Sequence, residues 1–164
     1  MAAYESKLIL VNNMSDQTSH PEREEFREHC QRWLEENRPP PTKIPLPQNA
    51  YEVTFEDHRT YLCDWQAKCY EAQLIGTDVP KEYGGHGHTE FQAIASAEVR
   101  KAKVPYFINW IGLGMTAPTL LIHGTEEQKK RFLPPIFSAE EIWCQGFSEP
   151  GAGSDLVSLQ TSAV

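Results

Sequence analysis

Apolar residues recur at helical spacing through most of this chain and lose that spacing only toward its end. From Pro21 to Asn37 the apolar positions are Phe26, Cys30, Trp33 and Leu34, which form one stripe of a 3.6-residue period. Pro21 suits the first helical position, and Glu22, Glu24 and Glu25 favour the positive end of a helix dipole. A second helix is predicted from Phe55 to Leu74, capped by Thr54, with Leu62, Trp65, Cys69 and Ala72 on its inner face. A third runs from Thr89 to Ala102. A fourth, apolar and rich in small residues, runs from Tyr106 to His123. Its Gly112, Gly114 and Ala117 suit a place where another backbone packs closely, and Gly124 ends it. Thr125-Glu126-Glu127-Gln128 then reads as a full capping box. It opens a short helix that is expected to close at Leu133, before Pro134-Pro135.

Between the helices, Pro39, Pro40, Pro41, Pro45 and Pro47 make residues 38–50 an extended linker. Residues 76–85 are irregular, with Gly and Pro at both ends. At Ile142 the period changes. Ile142 to Phe147 reads as a strand, and Leu156 to Thr161 as a further short one. A lone strand or hairpin is barely stable and leaves unpaired edges. The expected architecture is therefore mainly α. Residues 1–19 form a flexible extension, residues 20–140 a helical domain, and residues 141–164 the start of a β domain whose remainder lies outside this chain. Met14, ahead of a polar run and a helix start, is a candidate start of translation alongside Met1.

Composition narrows the function. The chain has 164 residues, 40% of them hydrophobic, enough for one core. Fifteen basic against 23 acidic residues give a net charge of −8, the wrong sign for a nucleic-acid partner. Apolar runs such as Leu8–Val11 are too short to span a bilayer, and no secretory signal is present. Cys30, Cys63, Cys69 and Cys144 lack C-x-x-C spacing, so reduced thiols in a cytoplasmic protein are expected. His86-Gly87-His88 with Glu90 matches no strong zinc pattern and is read as a solvated loop, so no metal site is expected. Lys129-Lys130-Arg131, next to Glu126 and Glu127, reads as a solvated helix face.

Candidate chemistry concentrates in Ser148-Glu149-Pro150-Gly151-Ala152-Gly153-Ser154-Asp155, directly after the first strand. Gly151, Ala152 and Gly153 allow a ligand to approach, and their successive N–H groups can form an anion-binding nest. Ser148 and Ser154 add hydroxyls, and Asp155 can cap the loop from within. The same residues also suit a plain surface turn. The loop is neither a G-x-x-x-x-G-K-[ST] nor a G-x-G-x-x-G, because Leu156 stands where a third Gly is needed.

The stretch Trp143-Cys144-Gln145-Gly146-Phe147-Ser148-Glu149-Pro150-Gly151-Ala152-Gly153-Ser154-Asp155 resembles the signature of the acyl-CoA dehydrogenase family. Upstream, Val79-Pro80-Lys81-Glu82-Tyr83-Gly84-Gly85, Leu121 to Lys129 and Phe132-Leu133-Pro134 resemble family segments in the same order. The resemblance covers about residue 20 to the end. It implies a helical N-terminal domain, a β-barrel-like middle domain and a C-terminal helical bundle. It also implies a flavin (FAD) oxidoreductase that removes the α proton of an acyl-CoA thioester and passes the β hydride to the flavin. By that resemblance Gln145, Phe147 and Ser148 line the flavin ring, and Gly153 and Ser154 lie beside its pyrophosphate. Ser154 also faces the acyl-CoA, and Asp155 is structural. No residue here corresponds to the family's glutamate base, so the chain by itself is expected to be inactive, and because most of the family's flavin site lies beyond residues 1–164 it is expected to hold flavin loosely. Gln145 departs from the family pattern, and Ala139 replaces a common Gly with little expected consequence. Trp33, Trp65 and Trp110 suit a core, although the family's segment near Trp110 approaches the acyl pocket. The implied partners are an acyl-CoA, an electron acceptor such as an electron-transfer flavoprotein, and further subunits in a homo- or hetero-tetramer. The competing reading is a non-catalytic partner subunit of a hetero-oligomer.

Overall fold

The computed structural model of the chain describes residues 21–88 and 90–162. Among them are five α-helices: α1 (Pro21–Glu36), α2 (Glu56–Glu71), α3 (Gln92–Ala102), α4 (Ala117–His123) and α5 (Glu126–Ser138). A π-helical turn, Gly112–Thr116, leads into α4, and short 3-10 turns lie at Ala50–Glu52, Lys81–Tyr83 and Leu156–Ser158. Helix α1 packs on α3, α2 on α5, and α4 on α5. No described helix is long and apolar enough to cross a membrane. The extension at 1–19 and the proposed start at Met14 lie outside the described residues.

The core follows the apolar stripes. Phe26, Cys30 and Leu34 of α1 and Leu62, Trp65 and Cys69 of α2 are buried, as their spacing predicts. The Trp65 indole N–H donates to the Pro105 carbonyl (2.9 Å), so its polar edge is satisfied inside the core. Buried on the same helix is Gln66, a polar residue that the stripe does not announce.

Four helix ends differ from expectation. Helix α2 starts one residue later than Thr54 would cap it. Phe55 is its N-cap and makes no side-chain cap bond. Helix α3 starts at Gln92, because its cap comes from a distant loop. The Asp78 carboxylate accepts from Phe91 N–H (2.7 Å) and Gln92 N–H (3.0 Å). The predicted fourth helix is interrupted. Pro118 has no N–H, and the turn before it widens so that Ala117 N–H reaches Gly112 O.

Helix α5 has the expected capping box, with Gln128 N–H to Thr125 Oγ1 at 3.2 Å and Thr125 N–H to Gln128 Oε1 at 2.9 Å. It does not stop at Leu133, however, but carries Pro134 and Pro135 inside it. Outside donors hold the weakened last turn. Gln66 Nε2 donates to the carbonyls of Ile136 and Phe137 (both 3.1 Å), and Glu141 N–H donates to Pro135 O (3.1 Å). The Pro134 ring lies over Gly84, where a Cβ would come within 2.8 Å of its Cγ. Past the helix, Ala139 adopts φ +62°, a conformation that costs a non-glycine residue about 1 kcal/mol. Its methyl is buried with Leu62 and Ile108, which returns about 0.8 kcal/mol. The two nearly cancel, which explains why alanine stands there at little cost.

Beyond Glu141 no strand forms among the described residues. Residues 142–148 have no helical turn and no ladder partner, and one isolated bridge joins Glu149 to Ala152. Extended chain becomes a strand only when a neighbour accepts its hydrogen bonds. Residues 156–158, expected to be extended, instead make a 3-10 turn.

Candidate functional site: an apolar chamber and a glycine-rich loop

The π turn and α4 form one wall of an apolar chamber of about 480 Å3. Ile75, Val79, Phe107, Trp110, Leu113 and Leu121 are among its lining residues. Trp110 stays out of the core and is 42% exposed. Tyr51 meets it edge-on at 5.1 Å. Two polar side chains of the lining, Gln92 and Ser96, are already engaged. Gln92 Nε2 donates to Leu74 O (3.1 Å) and Ser96 Oγ (3.3 Å), and Gln92 Oε1 accepts Thr77 N–H (3.0 Å). The chamber therefore offers mostly apolar surface, which suits a hydrocarbon group, although the Tyr106 hydroxyl in its lining is buried without a hydrogen-bond partner. Gly114 is part of its wall, and a Cβ there would meet nothing within 4 Å.

A second cleft of about 500 Å3 lies between α1 and residues 88–91. Its lining mixes Glu22, Glu25, Arg32 and Glu71 with His29 and His88, so it lacks that apolar character. The histidines nearby are not a solvated loop, as their sequence suggested. His86 Nε2 lies 3.0 Å from Tyr70 O, and His88 Nε2 lies 3.0 Å from Gln73 Oε1. Both rings brace the end of α2, and burial lowers the pKa of His86. Of the basic run at the start of α5, Lys129 pairs with Glu126 (3.1 Å), and Arg131 pairs with Glu141 (2.6 Å).

The glycine-rich loop is joined to the chamber through Asn109, the residue before Trp110. Asn109 Oδ1 accepts the Trp143 N–H at 2.9 Å. From Trp143 the chain runs out through Gln145 and Phe147 to the loop. Gln145, Phe147, Gly153 and Ser154 are all exposed, Phe147 at 73%. Ser148 and Gly153 are brought together, since a Cβ on Gly153 would stand 3.4 Å from Ser148 Oγ. Sequence reasoning assigned the internal cap to Asp155, but its carboxylate makes no cap bond. Glu149 organises the loop instead. Its carboxylate accepts from Thr161 N–H (2.7 Å), Gln160 N–H (3.0 Å) and the Thr161 hydroxyl. The Thr161 hydroxyl first, and then the two N–H groups, hold its pKa below the usual carboxylate range. The Ala152 N–H to Glu149 O bond (3.1 Å) closes the turn.

The domain thus carries a mostly apolar chamber and an exposed loop of hydroxyls and glycines. The sequence model of the acyl-CoA dehydrogenase N-terminal domain matches residues 20–140. The chain belongs to the acyl-CoA dehydrogenase family, a family of oxidoreductases. Acyl-CoA dehydrogenase IpdE1 of Mycobacterium tuberculosis is 37% identical over 145 residues, covering 85% of this chain and 36% of that protein. Acyl-CoA dehydrogenase FadE34 of the same organism is 42% identical over 102 residues, covering 60% of this chain and 14% of that protein. Among solved structures, the ChsE4–ChsE5 complex of Mycobacterium tuberculosis has a TM-score of 0.57 at 28% identity, covering 88% of this chain and 35% of that one. The Tcur3481–Tcur3483 steroid ACAD, as a G363A variant, has a TM-score of 0.56 at 28% identity, covering 85% of this chain and 35% of that one. The chain thus spans about a third of the length of the first of these curated relatives.

Sequence reasoning missed Gln66, Gln92 and Asn109. For two of them a signal existed. Gln66 sits one turn after Leu62 on the buried face of α2, and Asn109 interrupts the apolar run Ile108–Ile111. A lone amide on an apolar face is the informative exception in such a pattern.

Proposed function

We propose that the chain is the helical N-terminal domain (residues 20–140), with the opening of the β middle domain at 141–164, of an FAD-dependent acyl-CoA dehydrogenase. The enzyme introduces an α,β double bond into an acyl-CoA thioester. The observation that carries this reading is the mostly apolar chamber, beside which Asn109 holds the segment that leads to the glycine-rich loop. The chamber takes the acyl tail. Its volume suits a long or bulky group, and one structural neighbour is itself called a steroid ACAD.

The loop residues fit a flavin by their chemistry. Ser148 offers a hydroxyl to a polar ring edge, and Phe147 and Gln145 offer exposed side chains beside it. Gly153 lacks a side chain where a pyrophosphate approaches, and Ser154 adds a hydroxyl within reach of both pyrophosphate and acyl-CoA. FAD, when bound, accepts the β hydride. No residue of this chain is assigned as the base that removes the α proton. Residues 142–147 are proposed to become a strand when neighbouring strands of the middle domain pair with them. The electron acceptor is proposed to be an electron-transfer flavoprotein, and the compartment the cytoplasm.

A partner-subunit reading has one observation in its favour. A structural neighbour is a complex of two different chains, and Phe147, Leu156 and Val157 here are exposed apolar residues. Flavin binding separates the readings. In the protein from the complete reading frame, Ser148→Ala weakens flavin binding about tenfold, the worth of one lost hydrogen bond in a dry site. An unchanged flavin affinity in Ser148→Ala removes Ser148 from the flavin site, and a wild-type protein that binds no flavin favours the partner subunit.

A further inference from the structure

We propose that Asn109 is a positioning residue that sets where the flavin-side segment stands relative to the acyl chamber. The side chain is fully buried and uses each of its hydrogen-bonding atoms. Its Nδ2 donates to Ile136 O (3.0 Å) and Glu141 O (2.9 Å), and its Oδ1 accepts Trp143 N–H (2.9 Å). It therefore grips both flanks of Ile142, where the chain leaves the helical domain. The grip is itself held from behind. Asn109 N–H donates to Gln66 Oε1 (3.1 Å), and Gln66 Nε2 donates to Ile136 O and Phe137 O, each at 3.1 Å. Two buried amides thus join α2, the end of α5 and the departing segment.

The same residue starts the chamber wall. Asn109 O accepts the Leu113 N–H (2.9 Å), and Leu113 and Gly114 line the chamber. Gly112 provides the room, because a Cβ there would fall 2.4 Å from Asn109 Oδ1. One residue thereby meets both parts. Its backbone sets the π turn beside the acyl tail, and its amide sets the register of Glu141 and Trp143, from which Gln145, Phe147 and Ser148 extend. A side chain merely filling core would need no directional bonds. A buried amide leaves unpaired groups on both sides if the segment slips by one residue, so slippage is disfavoured. Toward the flavin this role rests on the reading above, whereas the hold on residues 141–143 stands without it.

The test uses Asn109→Ala and, as its control, Gln66→Met, in the protein from the complete reading frame. Gln66 meets the Asn109 N–H and the last carbonyls of α5 but neither Glu141 nor Trp143, so its loss removes the support behind Asn109 while leaving the two bonds of the Asn109 side chain to that segment in place. Amide hydrogen exchange of the peptide around Trp143, and flavin dissociation, are measured in both. In Asn109→Ala the Trp143 amide exchanges about a hundredfold faster than in Gln66→Met, and flavin is held at least tenfold more weakly. Equal exchange at Trp143 in the two variants reduces Asn109 to a structural residue and overturns the proposal. If Asn109→Ala fails to fold, the wild type decides: a Trp143 amide exchanging as fast as those of Gln145 and Gly146 overturns it, and a protected one sustains it. A wild type that binds no flavin but protects Trp143 overturns the flavin role together with the reading above, and confirms the hold on the segment.

Discussion

Replacing Gly114 by leucine separates binding from folding, because the two respond in opposite directions. Gly114 lies in the π turn on the chamber wall, and a Cβ there meets no atom within 4 Å. Its φ is not in the left-handed region, so leucine adopts the backbone without strain. Glycine in a helix costs about 0.8 kcal/mol relative to leucine, so folding stability rises by several tenths of a kcal/mol. Because Gly114 lines the chamber, a leucine side chain there is expected to take space proposed for the acyl tail. It displaces about three methylenes at about 0.8 kcal/mol each, or about 2.5 kcal/mol of tail binding. That loss is close to a hundredfold in affinity. The assay is a thermal melt together with KM for a short acyl-CoA and for a long or bulky one. The expected result is a raised Tm, a nearly unchanged KM for the short substrate and a rise of about a hundredfold for the bulky one. An unchanged KM for the bulky substrate refutes the assignment of the chamber. An equal rise for both substrates refutes the idea that Gly114 acts through tail length.

Two further outcomes follow from the buried groups. The Glu98 side chain is 3% exposed and contacts Lys101 (2.7 Å), Arg27 (2.9 Å) and Gln31 (3.1 Å). Burial pulls its pKa up, but hydrogen bonds from Lys101, Gln31 and Arg27 outweigh that and leave it lowered. Its contribution is therefore complete above the unfolded carboxylate value of about 4.3 and is lost as pH falls through the lower folded value. Glu98→Gln should cost about 2 kcal/mol at pH 7 by urea unfolding, with the gap to wild type closing in acid, and a gap independent of pH contradicts the assignment. Among the cysteines, burial raises the Cys30 thiol to about 11 and Cys69 still further, whereas Cys144 is exposed. Native labelling by a thiol reagent should reach Cys144 first and spare Cys30 and Cys69 until unfolding, and early modification of either buried thiol counts against the common core to which α1 and α2 contribute them.

What the sequence revealed and what it hid divide along a physical line. Period-dependent features were legible: the stripes of α1 and α2, and the capping box of α5, whose partners lie three residues apart. Features set by distant donors were not. Asp78 caps α3 from 13 residues away, and Gln66 and Asn109 carry α5 through two prolines that locally forbid it. The loop's residue types suggested a ligand-facing turn, but not that Glu149, rather than Asp155, holds it. Residues 142–147 carry strand-like composition without a strand, because pairing is a property of two segments and composition belongs to one.

The most direct test of the account is anaerobic titration of the protein from the complete reading frame with acyl-CoA thioesters, followed by flavin absorbance. The account predicts that the purified protein carries FAD and that its visible absorbance bleaches with at least one acyl-CoA, yielding the α,β-unsaturated thioester. A protein that contains no flavin, or whose flavin stays oxidised with every short, long and bulky acyl-CoA offered, would contradict it.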